Sequence, residues 1–401
     1  MKELAGGICA AKGFLASGVK AHIKSRKTEK LDVAVLYSST PATAAGVFTT
    51  NRVKAACVTL SMEAVKHPLQ AIVMNSGNAN CCTGHQGYLD AQSMQSAAAE
   101  GLKLLPDCIA VASTGVIGER LPMDRMLNGI MSACSNIRRE GGQDAASAIM
   151  TTDTFRKEYA LEVEIGGKLV TLGGMAKGSG MIHPNMATTL CFVSSDAKIS
   201  QEALQKALRQ SNERSFNMIS VDGDTSTNDM ILVLANGQAE NDLIEVDSED
   251  FTKFTQALET VLVSLAKMVI KDGEGATKMF EVNVIGAASE TQARKAARAV
   301  SSSSLVKSAI FGNDANWGRI LCALGYSGAD FDPSLVDLYI GTVPVMKKGS
   351  NLPFDEVEAA KVLSQNEMVI TACLHSGDGS AKAWGCDLTY DYVKINGSYR
   401  T

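Results

Sequence analysis

Residues 177–190 read Lys-Gly-Ser-Gly-Met-Ile-His-Pro-Asn-Met-Ala-Thr-Thr-Leu. The chemistry they offer is that of a hydroxyl placed to attack its own backbone. A glycine-rich segment and a proline turn lead into small Ala187, then Thr188, then an apolar run. Attack of the Thr188 hydroxyl on the Ala187 carbonyl would give an ester that water opens. An internal threonine has no base of its own, but the cut would leave Thr188 with a free α-amine. Such an amine, of pKa about 7.7–8.0, can take the hydroxyl proton in a later reaction. An Ala-Thr-Thr-Leu run is equally the start of an ordinary strand, and spacing alone does not choose between the two.

Both steps would need donors aimed at a developing oxyanion. Ser113-Thr114-Gly115 follows a predicted strand, and a hydroxyl beside a glycine at a strand end can point a side-chain donor and a backbone N–H at one place. Most Thr-Gly pairs are plain turns. The loop 75–80, dense in side-chain amides, reads as a turn that bonds its own backbone or as the wall of a site. His22, His67, His85, His183 and His375 have no spacing for a metal or a Ser/His pair. No dinucleotide or P-loop glycine pattern occurs.

Composition narrows the partners. The formal net charge is −5, from mixed acids and bases without a basic block, which argues against nucleic acid. Ten cysteines at irregular spacing read as reduced thiols and point to the cytoplasm. Neither a signal peptide nor a membrane span is expected from the apolar runs. Aromatics make up only 5% while glycine is plentiful, favouring close backbone approaches.

The elements that must position these residues alternate between strands and helices. Strands and turns are expected over 1–80, helices over 88–105 and 124–137, and a short helix over 145–150 leading to Thr151. A hairpin follows at 159–172. Beyond Thr188 come a strand at 189–194, a helix at 201–210 with Ser200 as N-cap, and a strand at 229–234. A long helix carries Phe251, Phe254, Leu258, Val261, Leu262, Leu265 and Val269 on one face and ends near Glu274. Then follow a strand at 280–285, helices across 291–309, a polar loop at 313–319, and strands at 335–345, 367–374 and 381–395.

With these segments laid out, the chain resembles the ArgJ-type ornithine acetyltransferase family. The likeness is carried by 177–190 and by 75–84, Ser113-Thr114-Gly115, 151–154, Asp222-Gly223-Asp224-Thr225-Ser226-Thr227-Asn228, 271–278, 313–319 and the C-terminal end. Two departures are Thr189, where methionine is common, and Gly397-Ser398, where Ala-Asp is common. The resemblance implies cleavage between Ala187 and Thr188, with Thr188 as nucleophile and Thr114 and Gly115 as the oxyanion hole. It places Thr151, Lys177, Thr188, Glu274, Asn396 and Thr401 around the substrate.

The implied reaction is ping-pong: acetyl passes from N2-acetylornithine to Thr188 and then to glutamate, in arginine biosynthesis. No metal or cofactor is implied, and acetyl-CoA is a further donor that some family members use as co-substrate. The implied fold is an α/β, sandwich-like, self-cleaving N-terminal-nucleophile type related to DmpA and ArgJ. Its products would be an alpha chain, 1–187, and a beta chain, 188–401, of which about 280–401 forms a smaller C-terminal α/β region. Two of each would form a cytoplasmic heterotetramer without nucleic acid or membrane. The alternatives are an N-terminal-threonine amidohydrolase or aminopeptidase with water as acceptor, and a relative that only binds. If Thr401 lies in the site, deleting it lowers the transfer rate with little change in the melting curve, since a chain terminus seldom belongs to a core; unchanged kinetics would take it out of the site.

Overall fold

The computed structural model describes residues 1–25, 29–183 and 189–398. Its main sheet runs in the order Lys2–Leu4, Lys157–Ile165, Lys168–Lys177, Leu190–Ser195, Met230–Ala235, Val33–Phe48, Leu69–Asn75 and Ile109–Ser113, with Phe14–Val19 also paired to Val33–Phe48. The long strand Val33–Phe48 joins two parts of the sheet. Its first residues pair with Phe14–Val19 and Leu69–Asn75, and its last with Met230–Ala235. Register against Leu69–Asn75 shifts between Tyr37 and Ala42. Pro41 lies within that irregularity and is exposed, a position where a residue without an N–H does no harm.

Two strands that follow position 188 sit inside this sheet. Leu190–Ser195 pairs antiparallel with Lys168–Lys177 and parallel with Met230–Ala235. Both are buried on both faces and apolar but for Ser194 and Ser195 at the end of the first. Cys191, Val193, Ile231 and Val233 face one core, while Leu190, Phe192, Met230 and Leu232 face the other, as the two-residue period of a strand requires. The helices Gln201–Glu213 and Glu249–Lys271 cover the first core, and all seven apolar positions expected on the long helix lie in it. Ala56–Ala64, Gly84–Leu102, Met123–Ser135 and Gly142–Ala148 cover the second.

A smaller C-terminal sheet has the order Ser350–Asn351, Val343–Lys347, Asp337–Ile340, Glu367–Cys373, Met279–Ala287, Gly379–Cys386 and Ile219–Ser220. It continues the first core through Val282, Val284, Ile370 and Ala383, under the helix Glu290–Ser302. The expected α/β class, with a smaller C-terminal α/β region, is the one observed. Ser200 caps its helix as expected, accepting from the Ala203 N–H.

Several local expectations need correction. The segment read as strands and turns contains the helix Ala56–Ala64. The polar loop at 313–319 is cut short because Asn316 accepts from the Arg319 N–H and starts the helix Trp317–Gly325. The strand expected at 335–345 is a hairpin, Asp337–Ile340 and Val343–Lys347, turned at Gly341 with φ +58°. The last strand stops at Cys386, and Tyr390–Ser398 is a helix. Its start is marked by Thr389, whose hydroxyl accepts from the Tyr392 N–H at 3.3 Å.

A buried ion cluster ties the first hairpin strand to the end of the long helix. Lys157, with no exposed surface, reaches Asp153 at 2.7 Å and Asp272 at 2.5 Å. Asp272 also accepts from the Thr154 N–H at 2.9 Å and from the Thr154 hydroxyl. Asp153 accepts from the N–H groups of Thr151 at 2.9 Å and Gly178 at 2.7 Å. Burial alone would raise the Asp153 carboxyl, but the charges of Lys177 and Lys157, with the bonds from Lys157 and Gly178, hold it at about 2.

A carboxyl depressed in the folded state stabilises above its unfolded pKa and loses that contribution as pH falls through the folded value. Asp153→Asn is therefore expected to be roughly 2 kcal/mol less stable than the parent at neutral pH. The gap should close between about pH 4 and pH 2. Urea midpoints across that window measure it, and a gap independent of pH would remove the charge from the account.

Candidate functional site

The cleft is built at the ends of the central strands, where Lys168–Lys177 delivers Lys177 and Met230–Ala235 begins just after Asp229. Its concave space, lined by polar and charged side chains among a few apolar ones, suits a small molecule rather than a macromolecule. Six residues singled out from the sequence line it together: Thr114, Gly115, Thr151, Lys177, Glu274 and Asn396. Ala187, Thr188 and Thr401 lie outside the described residues.

The segment leading to Pro184 is fixed by acids on three sides. Asp153 holds the Gly178 N–H. Ser179 donates to the Asp272 carbonyl at 2.6 Å, and its own carbonyl accepts from the Glu274 N–H at 2.9 Å. Asp222 accepts from the N–H groups of Met181 at 2.6 Å and Ile182 at 2.9 Å. Thr225 donates to the His183 carbonyl at 2.8 Å. These bonds occupy backbone donors that would otherwise be costly to leave unpaired.

Thr114 and Gly115 follow the strand Ile109–Ser113. The Thr114 N–H is spent on the Asn75 carbonyl at 3.0 Å. Among the described residues, neither the Gly115 N–H nor the Thr114 hydroxyl has a hydrogen-bond partner, so both donors are available at the cleft wall. Gly115 has φ +134° and packs against the backbone of Gly77 and Asn78, where a Cβ would collide; only glycine fits there. The amide-rich loop mainly bonds its own surroundings. Asn75 donates to the Asn78 carbonyl at 2.9 Å, and Asn78 donates to the carbonyls of Glu119 and Arg120. Its Ala79 lines the cleft.

Opposite charges face the space. Lys177 is only 8% exposed and makes no ion pair with a described residue. Glu274, equally buried, accepts from the Asn396 amide at 2.8 Å. A side chain at Gly180 would run into the Glu274 carboxylate, so the glycine makes room for the acid. The Tyr390–Ser398 helix brings Asn396 to this point, and Asn396 also donates to the Tyr392 carbonyl at 3.1 Å.

Sequence reasoning assigned no role to Asp222, Asp224, Asp229 or Tyr392, which also line the cleft. The polar run 222–228 was a signal for the first two, but an aspartate at a strand start is not. Burial raises the Tyr392 phenol, as do the nearby acids, Asp222 first. Spacing also gave no Ser/His pair, yet His183 Nδ1 lies 3.0 Å from the Ser220 hydroxyl. That serine is fully buried and neither residue lines the cleft. Burial, then the Arg298 charge, pushes His183 down to about 4 against the pull of Asp222, so the imidazole is neutral. No cluster of metal-binding side chains occurs among the described residues, and no described helix is long and apolar enough to cross a membrane.

Known proteins share this chain along its length. The ArgJ family matches residues 15–401. The arginine biosynthesis bifunctional protein ArgJ of Symbiobacterium thermophilum is 59% identical over 402 residues, covering 100% of both chains. That of Caldanaerobacter subterraneus subsp. tengcongensis is 54% identical over 406 residues, again covering 100% of both. Among crystal structures, the arginine biosynthesis bifunctional protein ArgJ of Bacillus halodurans is 47% identical with a TM-score of 0.51, covering 52% of this chain and 98% of that one. The match in sequence over nearly every residue places this chain in the ArgJ family.

Proposed function

We propose that this chain is an acetyltransferase of arginine biosynthesis that cuts itself between Ala187 and Thr188 and then carries acetyl on Thr188 from N2-acetylornithine to glutamate. The observation that carries the reading is the convergence of Thr114, Gly115, Thr151, Lys177, Glu274 and Asn396 on one cleft. The names of the full-length relatives supply the pathway. The solved Bacillus halodurans chain corresponds to about half of this one, a length that suits one of two products.

In the first step the Thr188 hydroxyl adds to the Ala187 carbonyl, and the C–N bond breaks to leave an ester and a free α-amine. Water opens the ester, giving Ala187 a carboxylate and returning the hydroxyl. In turnover the α-amine takes the hydroxyl proton as oxygen attacks the acetyl carbonyl. The Thr114 hydroxyl and the Gly115 N–H stabilise the oxyanion, a contribution of order 3 kcal/mol for each donor. The proton passes to the departing α-nitrogen of ornithine, and the α-amine of glutamate then takes the acetyl group by the reverse sequence.

The charges of the cleft suit these substrates. Lys177 is placed for the α-carboxylate that donor and acceptor share. Glu274, held by Asn396, is placed for the side-chain ammonium of ornithine. In this reading the two products form a cytoplasmic heterotetramer, two of each.

Two measurements test the proposal. Thr188→Ala is expected to give one full-length chain by intact mass and no transfer, whereas two fragments from that variant would sink the mechanism. Without glutamate, ornithine release from N2-acetylornithine should stop after one equivalent per site, and sustained release should require glutamate. Release at the same rate without it would identify a hydrolase instead.

A further inference from the structure

Lys157 is buried and pairs directly with two carboxylates. Lys177, at the end of the neighbouring strand, is treated differently. Only 8% exposed, it acts by its charge on Asp153, which is already paired with Lys157, and it has a second acid close by in Asp229, which is 3% exposed and lines the same cleft. Lys177 and Asp229 feel each other's charge but are too far apart for an ion pair. Asp229 bonds Ser226, and its Oδ2 has no hydrogen-bond partner. Two buried polar groups, one cationic and one an acid, therefore border one space without closing on each other.

Leaving either unpaired is costly. The cost falls for both if a ligand accepts from the Lys177 ammonium and from Oδ2. That ligand must be an anion with more than one acceptor oxygen, and a carboxylate meets the requirement. An ionised Asp229 would repel it; the acid form donates to it. Burial raises the Asp229 carboxyl well above the carboxylate range, with Ser226 and Lys177 only partly opposing it, so its surroundings favour the acid form.

We propose that Asp229 is a substrate-binding residue whose carboxylic acid donates a hydrogen bond to the α-carboxylate that Lys177 attracts. This rests on the acetyl-transfer reading and extends it. N2-acetylornithine and glutamate differ at their side chains and α-nitrogens but share an α-carboxylate. One anchor made of Lys177 and Asp229 would hold both with the α-nitrogen in the same place, as a ping-pong enzyme with a single cleft needs.

The test uses the self-cleaved protein, with cleavage checked by intact mass, and steady-state transfer at neutral pH. Asp229→Ala is expected to raise KM for donor and acceptor alike, by about 10-fold to 100-fold, the loss that follows from one hydrogen bond to a charged group. The change in kcat should be small by comparison. Asp229→Asn keeps a donor of the same shape and should stay near the parental KM. The other titratable groups of the cleft are Lys177, Asp222, Asp224, Glu274 and Tyr392, and all remain in both variants.

The variants therefore isolate Asp229 in a pH series. Parental KM for N2-acetylornithine should rise at alkaline pH as Asp229 loses its proton, and the Asp229→Asn value should lack that rise. If Asp229→Ala does not cleave or fold, Asp229→Asn carries the test alone, and an alkaline rise parallel to the parent overturns the proposal. Unchanged KM values in Asp229→Ala, or a fall in kcat alone, also overturn it while leaving the transfer reading intact. A parent that transfers no acetyl removes both.

Discussion

A lysine without access to water fixes the geometry on which the cleft depends. Lys157 lies between Asp153 and Asp272, and each of these acids also holds backbone leading to the site. Asp153 grips Thr151 and Gly178, and Asp272 grips Thr154. Removing one member of such a cluster leaves a buried charge with fewer partners and destabilises the fold. The value of the arrangement lies in position rather than net stability, since a buried ion pair gains little over well-packed apolar groups. The loop at Thr151, the segment after Lys177 and the end of the long helix are thereby referred to one point.

The strand order explains how a chain cut near position 188 could remain one body. Leu190–Ser195 and Met230–Ala235 lie side by side between Lys168–Lys177 and Val33–Phe48. Every ladder on either side of this pair joins sequence before position 188 to sequence after it. Both cores depend on the pair as well, through Cys191 and Val193 on one face and Leu190 and Phe192 on the other. Separating the two parts would expose both faces at once. The apolar area involved, at about 25 cal/mol per Å², far outweighs one peptide bond's constraint on the chain.

Much of this was legible in the sequence because local patterns and tertiary needs agree. The alternation at 159–165, the apolar stripe from Phe251 to Val269 and the cap at Ser200 each reflect a single period or a single hydrogen bond. Legibility failed where a short helix begins inside polar sequence. Asn316 and Thr389 are cap signals, but glycines and charges nearby read as loop or strand. The cleft itself was less legible. Thr114 and Gly115 follow a strand like many other Thr-Gly pairs, and their free donors become visible only when Gly77 and Asn78 pack against them. Asp229 was silent because its meaning lies in what it does not touch.

In the proposed reading, charge placement would account for selectivity in physical terms. In water, a lysine and two or three carboxylates near one another would be screened within about 8 Å. Here Lys177 and Glu274 are both at least nine-tenths buried, so their fields act on a ligand with little screening. A bound amino acid must match the sign at each end, or leave a buried charge unpaired. A mismatch of that kind costs more than any loss of apolar contact in a cleft with few large apolar side chains. In the proposed reading the site would distinguish its ligands by where they carry charge, and the glycines at 115 and 180 let backbone and acid come close enough to do so.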